Sequence, residues 1–267
     1  MPGPVPTPAA LLAVAQRAAA AAAEVIAAHY AQGVAARAKD DGSPVTEADL
    51  AAERTIRAEI ARDFPDHVVY GEEYGRSGTA SSEFLWLVDP IDGTKSFLRR
   101  YPMFSTQLCV WREGVAQAAV SSAPWFGEVA WASRGGGAFL QRGAQPAQRL
   151  AVSTVDTLER ATLSTGNLRS LARGPGWPAF GRLVARVDRI RGYGDFWHYH
   201  LLAQGSVDAV LESDLNVLDV AALALIVAEA GGRATALDGG PLTLATRDLL
   251  ASNGCLHDAV LVALRAT

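Results

Sequence analysis

The segment 86–97, WLVDPIDGTKSF, places two carboxylates, Asp89 and Asp92, directly after a hydrophobic run. Unpaired carboxylates cost free energy at the end of a buried strand, so this arrangement requires a chemical explanation. One interpretation is turn chemistry, because Asp-Pro and Asp-Gly are common turn dipeptides. The other is a metal site, in which the strand delivers carboxylate oxygens to a cation. The choice between them depends on the other carboxylates of the chain.

Four more acidic residues can join this pair. Glu72 and Glu73 lie in GEEYG, Asp49 lies in SPVTEADL, and Asp219 begins an almost wholly apolar helix. Each alone has a simpler explanation. Thr46 and Asp49 can form a capping box, Asp219 can complement a helix N-terminus, and the paired glutamates can form a solvated turn. Together they supply hard oxygen ligands without cysteine or histidine, which is the donor set that Mg²⁺ prefers.

Gly93 and Thr94 follow Asp92 at the predicted start of a helix. A glycine lets the backbone approach a ligand closely, and the N–H groups of a first helical turn can face an anion. The sequence therefore predicts that a metal and a phosphate group meet at one point.

The chain resembles the inositol monophosphatase-like family of magnesium-dependent, lithium-sensitive phosphatases, and the resemblance covers almost its whole length. Three motifs carry it: Gly-Glu-Glu at 71–73, Asp-Pro-Ile-Asp-Gly-Thr at 89–94, and an Asp opening a helix that ends in Glu-Ala-Gly-Gly at 229–232. In that family a tryptophan commonly precedes the last aspartate, whereas this chain has Leu218. This departure alters packing beside the metal more than the ligand chemistry.

The resemblance implies two Mg²⁺ ions, and the family allows a third, weaker one near Glu72 and Glu73. Two adjacent ions can lower the pKa of a bound water and stabilise the attacking and leaving oxygens. The implied ligands are Glu72, Asp89 and the Ile91 carbonyl for one ion, and Asp89, Asp92 and Asp219 for the other.

The resemblance also implies roles for residues beside the metals. Asp49 and Thr94 would orient the attacking water, with Glu72 counted among the catalytic residues. The amides of Gly93 and Thr94 would bind the phosphate. The expected partner is therefore a small-molecule phosphate monoester, and the resemblance implies a homodimer.

Within this family, the segment 190–219 looks more like the bacterial histidinol-phosphatases than the inositol-specific members. Asp195 after Gly194, with the aromatic pair at 196–197, carries this likeness. Glu212 matches the position at which family members contact the organic part of the substrate. Histidinol phosphate carries an ammonium and a partly protonated imidazole, so Asp195 and Glu212 would complement its charge.

Both acidic residues also have simpler roles that the sequence leaves open. Asp195 can cap a helix beginning at Phe196, and Glu212 can equally serve hydroxyl groups. An inositol-1-monophosphatase or a broad sugar-phosphate phosphatase is therefore the alternative function. A non-catalytic protein with the same fold is a third, disfavoured because every expected metal and water-orienting residue is present.

The elements that must position these residues change in character near residue 150. Before it, a helix at 46–63 precedes strands at 83–88, 105–112, 115–121 and 128–133. From 161 onward strands and helices alternate, in segments 162–164, 177–185, 189–191, 196–204, 209–212, 218–230, 233–236 and 249–252. This pattern predicts an α/β protein with an α+β N-terminal half and an α/β C-terminal half. The resemblance implies a layered α-β-α-β-α sandwich of the inositol monophosphatase and fructose-1,6-bisphosphatase type.

The predicted division is a loose tail at 1–8, a metal-binding half at 9–150 and a substrate half at 151–267, forming one compact unit. The chain has 267 residues, of which 49% are hydrophobic and 19% charged, as expected for a soluble globular protein. A formal net charge of −4 gives no broad basic field for nucleic acid. Two cysteines suggest neither a disulfide framework nor a zinc site, so a cytoplasmic location is expected.

The alanine-rich stretch at 9–30 could be mistaken for an export signal or a membrane span. It has no basic region before the apolar run, and Arg17, Glu24 and His29 interrupt it. This pattern favours an amphipathic helix packed on a domain, and no membrane association is expected.

Overall fold

The structure is a computed structural model that describes residues 5–32, 36–38 and 44–265. Of the predicted tail, residues 1–4 lie outside the described ranges, residues 5–7 are irregular, and a helix begins at Pro8. The helices are α1 Pro8–Gln32, α2 Glu47–Asp63, α3 Thr94–Leu98, α4 Leu168–Arg173, α5 Trp177–Val184, α6 Asp195–Ala203, α7 Val217–Glu229 and α8 His257–Arg265, with a 3-10 helix at Leu158–Arg160.

The first ten strands lie before residue 150. They are β1 Ala36–Ala38, β2 Pro44–Thr46, β3 Val68–Gly71, β4 Gly75–Ser77, β5 Phe84–Asp92, β6 Ser105–Arg112, β7 Val115–Ala123, β8 Glu128–Ser133, β9 Gly137–Arg142 and β10 Gln148–Arg149. The remaining strands are β11 Thr162–Thr165, β12 Arg189–Arg191, β13 Ala209–Ser213, β14 Arg233–Thr235 and β15 Asp248–Ser252.

These strands form two main sheets and a small ribbon of β1 and β2. The large sheet has eight strands in the order β10-β9-β8-β7-β6-β5-β3-β4, in which only β3 and β5 pair in parallel. The small sheet has five strands in the order β12-β11-β13-β15-β14, with β11 parallel to both neighbours. The division of the chain at residue 150 stays a prediction, although it falls between the strands of the two sheets.

Alternating side chains of the central strands bury both faces of each main sheet. In β5, Trp86 and Val88 face α1 and α2, whereas Leu87 faces the layer of α6 and α7. In the small sheet, Ala251 faces the same α6 and α7 layer, whereas Leu250 packs with α8 on the opposite side. This order of layers is α-β-α-β-α, which confirms the predicted sandwich.

Helix α1 packs on the protein along one apolar stripe. It is the helix, among the described residues, that is long and apolar enough to cross a membrane by composition. Leu11, Ala15, Ala18 and Ile26 are nevertheless buried in a cluster with α2 and the large sheet. Arg17 donates from Nε to Glu59 of α2 at 2.6 Å. The stripe and the ion pair are those of the predicted amphipathic helix.

The structure corrects the predicted end of β5. The strand was expected to stop at residue 88 and to be followed by a turn, but it continues to Asp92. Asp89 pairs with Gln107 and Asp92 with Ser105 of β6, and the register shifts between them. The turn interpretation of the two aspartates is therefore wrong, because a β-bulge re-aims their side chains without ending the strand.

Candidate active site

Hydrogen bonds within the bulge fix the two carboxylates at the end of β5. Asp89, 2% exposed, accepts a hydrogen bond at Oδ1 from Ile91 N at 3.0 Å. Thr94 Oγ1 donates to the Ile91 carbonyl at 3.1 Å. Gly93 has a φ of 86°, and a Cβ there would lie 2.6 Å from Met103 O. Only glycine therefore fits between the bulge and the short helix α3.

Asp49 combines the predicted capping box with a free oxygen. Its Oδ2 accepts from Thr46 N at 2.8 Å, while Thr46 Oγ1 accepts from the first amides of α2. Its Oδ1 is buried and has no hydrogen-bond partner. The capping interpretation is thus correct but incomplete, because a buried oxygen without a partner requires a proton, a water or a cation.

Asp219 is held by a second capping box, at the start of α7. Its Oδ2 accepts from Asn216 N at 2.9 Å, and Asn216 Oδ1 accepts from Leu218 N at 3.2 Å. Leu218 is buried in the core cluster between the large sheet and the α6 and α7 layer. Leu218 therefore contributes to core packing. Asp219, the next residue, lies in the first turn of α7.

The loop with Glu72 and Glu73 forms the turn between β3 and β4. Strand β3 runs parallel to β5, and Glu72 N donates to Val88 O at 3.1 Å. Because parallel neighbours end at the same edge of a sheet, this pairing brings the loop beside Asp89. The carboxyl groups of Glu72 and Asp89 are close enough to interact.

The carboxylates of Glu72, Asp89, Asp92 and Asp219 form a cluster and repel one another. Asp89 is buried, Asp92 and Asp219 are half-buried, and Glu72 is exposed. Burial, followed by the charges of Glu72, Asp92 and Asp219, raises the pKa of Asp89 well above its usual value. Burial and Asp219 do the same to the pKa of Asp92. Burial raises the pKa of Asp219 to about 7 although the Asn216 amide opposes it. Such a cluster needs protons or cations between its oxygens.

Burial also raises the pKa of Asp49, to about 6, and Glu72 adds to the effect. Within the ranges that the structure describes, no group of three Asp, Glu, His or Cys side chains is close enough together to hold a metal ion as it stands. The chemistry of the donors nevertheless fits Mg²⁺, because they are hard oxygens whose shared protons a cation would replace. The types of residue present therefore fit the metal that the sequence predicts, although their side chains would have to move to bind it.

A cleft joins this cluster to the predicted substrate residues, and its volume of about 330 Å³ includes the open space at its mouth. Its polar lining consists of Asp92, Asn167, Asp195, Tyr199, Glu212 and Asp219. The structure therefore brings Asp195 and Glu212 to the same opening as two carboxylates of the cluster, Asp92 and Asp219. Gly194 stands at the edge of this region as the N-cap of α6.

Glu212 is held in one orientation by α6. Tyr199 donates from its hydroxyl to Glu212 Oε2 at 2.7 Å, and His198 Nε2 lies 3.3 Å from the same oxygen. A Cβ on Gly166 would lie 2.0 Å from Glu212 Oε1, so the carboxylate occupies that space. Burial raises the pKa of Glu212, but His198 and the Tyr199 hydroxyl outweigh it and leave the pKa below its usual value. These contacts therefore hold Glu212 in place and favour its anionic form.

Asp195 adopts an uncommon backbone conformation, with a φ of 46° directly after Gly194. The interpretation of Asp195 as a helix cap is wrong, because α6 begins at Asp195 itself and no side chain caps it. Burial, and then Glu212, raise the pKa of Asp195 to about 6. A left-handed conformation outside glycine is sparsely populated and often marks a functional position.

Three residues of this site were missed from the sequence. Ser105 donates to Asp92 Oδ2 at 3.3 Å, and only the register of β5 and β6 reveals that pairing. Asn167 carried no recognisable pattern. Tyr199 follows Asp195 by four residues, so their helical spacing was the available signal that both face one cleft.

Comparison with known proteins supports the resemblance. Residues 8–267 match the model of the inositol monophosphatase family. The histidinol-phosphatase of Mycobacterium tuberculosis is 45% identical over 231 residues, which cover 85% of this chain and 87% of that protein. The histidinol-phosphatase of Streptomyces coelicolor is 43% identical over 233 residues, covering 84% of each. The structure of the inositol monophosphatase from Anabaena (Nostoc) matches with a TM-score of 0.80 and 32% identity, covering 95% of this chain and 94% of that one.

Proposed function

The chain belongs to the inositol monophosphatase family and is a phosphatase, and from this premise we propose that it hydrolyses L-histidinol phosphate to L-histidinol and phosphate with Mg²⁺. The proposal has two parts, the metal chemistry and the choice of substrate. The carboxylate cluster supports the first, and the charge of the cleft supports the second.

Two Mg²⁺ ions, with room for a third, would occupy the carboxylate cluster. When bound, they supply a low-pKa water and neutralise charge on the phosphate. Because these carboxylates repel one another, the cluster needs cations or protons to neutralise its charge, and bound Mg²⁺ would meet that need. The proposed ligands are Glu72, Asp89 and the Ile91 carbonyl, then Asp89, Asp92 and Asp219, with Glu73 near the weaker third ion.

Asp49 and Thr94 would orient the attacking water. The buried Asp49 Oδ1 has no partner and can accept a hydrogen bond from the water. The Thr94 hydroxyl donates to the Ile91 carbonyl, so its lone pairs can accept the other water proton. The amides of Gly93 and Thr94, at the start of α3, are the proposed phosphate contacts.

The charge of the cleft is the observation that favours a cationic substrate. Its lining contains Asp92, Asp195, Glu212 and Asp219, and no lysine or arginine of the described residues lines it. The ions would neutralise the metal-side pair and leave Asp195 and Glu212 for the organic group. An ammonium or imidazolium group would pair with these anions, whereas a neutral polyol would leave their charge uncompensated.

Inositol-1-phosphate or a range of sugar phosphates is the alternative substrate. Glu212 and Asn167 could also hydrogen-bond hydroxyl groups. The similarity to an inositol monophosphatase structure supports this alternative at the level of the family.

Phosphate release from both substrates tests the proposal. At matched concentrations, histidinol phosphate should be turned over faster than inositol-1-phosphate, EDTA should abolish both reactions, and millimolar Li⁺ should inhibit them. A preference for inositol-1-phosphate would establish the alternative, and no release with Mg²⁺ from either ester would indicate a non-catalytic protein. We further propose that the protein is cytoplasmic. We also propose that it is a homodimer, an oligomeric state that light scattering would measure.

A further inference from the structure

A buried ion pair on α2, outside the carboxylate cluster, holds the loop with Glu72 and Glu73. Glu53 is fully buried in the middle of the helix, where carboxylates rarely occur unless they are paired. Its Oε2 accepts from Glu73 N at 2.7 Å, and its Oε1 accepts from Tyr74 N at 3.2 Å. Arg57, one turn later, donates from Nε to Glu53 Oε1 at 2.8 Å.

Arg57 extends these contacts to β4, the strand that follows the loop. Its Nη2 donates to Gly75 O at 2.6 Å, and its Nη1 donates to Ser77 Oγ. The guanidinium groups of Arg54 and Arg57 each lie 6.0 Å from the centre of the Tyr74 ring. The loop is therefore attached to α2 through its own amides, by Glu53, and through the following strand, by Arg57.

The glycine before the loop fits the same arrangement. A Cβ on Gly71 would lie 2.1 Å from Glu53 Oε1, so the carboxylate fills the space that a side chain would need. On the other side, Glu72 N donates to Val88 O of β5. The 72–74 turn is thus held between Glu53 of α2 and the end of β5, which leaves the Glu72 side chain directed at Asp89.

Helix α2 connects the pair of Glu53 and Arg57, which clamps the loop, to the residue proposed to orient the water. Asp49 and Glu53 are four residues apart, so they lie on one face of the helix, and both are buried. Asp49 is close enough to Glu72 for their charges to interact. One rigid element therefore sets the separation between Asp49 and the turn that carries Glu72.

We propose that Glu53 is a positioning residue for Mg²⁺, which fixes the 72–74 turn through its amides and thereby aims Glu72 at the metal. This role rests on the proposed function, in which Glu72 is a ligand. Glu53 contacts neither the substrate nor the metal and acts through the backbone of Glu73 and Tyr74. Replacing a residue that orients a metal ligand typically weakens metal binding by about ten- to a hundredfold.

The variant Glu53→Gln tests this role because it keeps the size of the side chain. A glutamine has one acceptor oxygen, so it cannot serve both loop amides and Arg57 together. Calorimetry should show Mg²⁺ binding about tenfold weaker than in the wild-type protein. The kcat for histidinol phosphate at saturating Mg²⁺ should change much less, since added metal restores the ligand set.

Glu59→Gln is the matched control. It makes the same substitution on the same helix and breaks pairs with Arg17 and Arg62, away from the loop. Its Mg²⁺ affinity should equal that of the wild-type protein, even if its melting temperature falls as much as that of Glu53→Gln. Equal affinities in Glu53→Gln and the wild type would overturn the proposal. Equal weakening in both variants would also overturn it, by showing that any damage to α2 has this effect.

Arg57→Gln provides a second route to the same decision if Glu53→Gln does not fold. It leaves the Glu53 carboxylate unpaired and releases Gly75 O, so it should weaken Mg²⁺ binding where Glu59→Gln does not. An Arg57→Gln protein with unchanged Mg²⁺ affinity would then overturn the proposal that these contacts position Glu72. Absence of Mg²⁺ binding by the wild-type protein would instead contradict the proposed function itself.

Discussion

At the scale of single residues, several side chains combine a structural and a chemical role. Asp49 and Asp219 are each the third residue of a helix that begins with a capping box. Asp219 also belongs to the carboxylate cluster, and Asp49 lies close enough to Glu72 for their charges to interact. The sequence could identify each role but could not show that they coexist. Glu53 was missed altogether, because a glutamate in the middle of a polar helix usually indicates a solvated face and nothing in its spacing reveals the loop above it.

Replacing Asp89 with Asn should abolish turnover and leave the fold intact. Asp89 contacts both Glu72 and Asp219 and belongs to both proposed ligand sets, so the amide removes a charge shared by two cations. Steady-state phosphate release and circular dichroism would measure the two effects. Asp258→Asn, an exposed carboxylate paired with Arg233, is the control and should retain full activity. A folded Asp89→Asn protein with a tenth or more of wild-type activity would contradict the bridging role.

Replacing Asp195 with Asn should raise KM for histidinol phosphate and spare a phosphate ester with a neutral organic group. The amide keeps the shape but removes the attraction for a cation in the cleft. Loss of a charged contact there costs about 1.5–3 kcal/mol, which is about ten- to a hundredfold in kcat/KM. Parallel kinetics on the two esters would measure the difference. Equal losses on both would show that Asp195 supports the fold or the chemistry instead.

At the scale of elements, the sequence predicted the strands and helices with long apolar patterns. Strands β6 and β8 begin and end at the predicted residues. The missed elements include β3 and β4, which are short, and β4 has the polar sequence Gly-Arg-Ser at a sheet edge. The bulge in β5 was also missed, because Asp-Pro-Ile-Asp has the local chemistry of a turn and only pairing with β6 keeps it extended.

The junction between α2 and β3 should make stability depend on pH through His67. His67 stacks between Phe64 and Phe84, with ring centres 4.5 Å apart on each side, and accepts from Trp86 Nε1 at 3.0 Å. Burial lowers the pKa of His67 to about 4. The unfolded chain therefore binds this proton at a higher pH than the folded one, and the stability from His67 falls as the pH drops from about 6.5 towards 4.

His67→Gln isolates this effect, because glutamine can accept from Trp86 but does not titrate in this range. Urea unfolding at several pH values should show wild-type stability falling relative to the variant below about pH 6.5. Parallel curves for the two proteins between about pH 4 and 6.5 would contradict the assignment.

At the scale of the whole molecule, the layered sandwich follows from burial on both faces of two sheets. The alternation of strands and helices after residue 161 predicts the second half, and the resemblance supplied the order of the layers. The sequence could not reveal the cleft, because its polar lining comes from β5, α6, α7, β13 and a loop that meet only in three dimensions. Packing of α7 between the two sheets is what brings Asp219 beside Asp89.

Removing the metal should destabilise the whole protein more at high pH than at low pH. In the metal-free protein the raised pKa values of Asp89, Asp92 and Asp219 mean that the folded state holds extra protons. The stability that those protons provide is lost as the pH rises through about 7, the pKa of Asp219. Differential scanning calorimetry should therefore show a larger rise in Tm on adding Mg²⁺ at pH 8 than at pH 6. A rise in Tm independent of pH would mean that Mg²⁺ binds elsewhere.

The central claim is that Asp89 and the carboxylates around it hold divalent cations. Anomalous diffraction from crystals grown with Mn²⁺, a cation with the same preference for oxygen ligands, tests it most directly. Two anomalous peaks should flank Asp89, one beside Glu72 and the Ile91 carbonyl and the other beside Asp92 and Asp219. Well-ordered carboxylates without an anomalous peak between them, in crystals of active protein, would contradict the account.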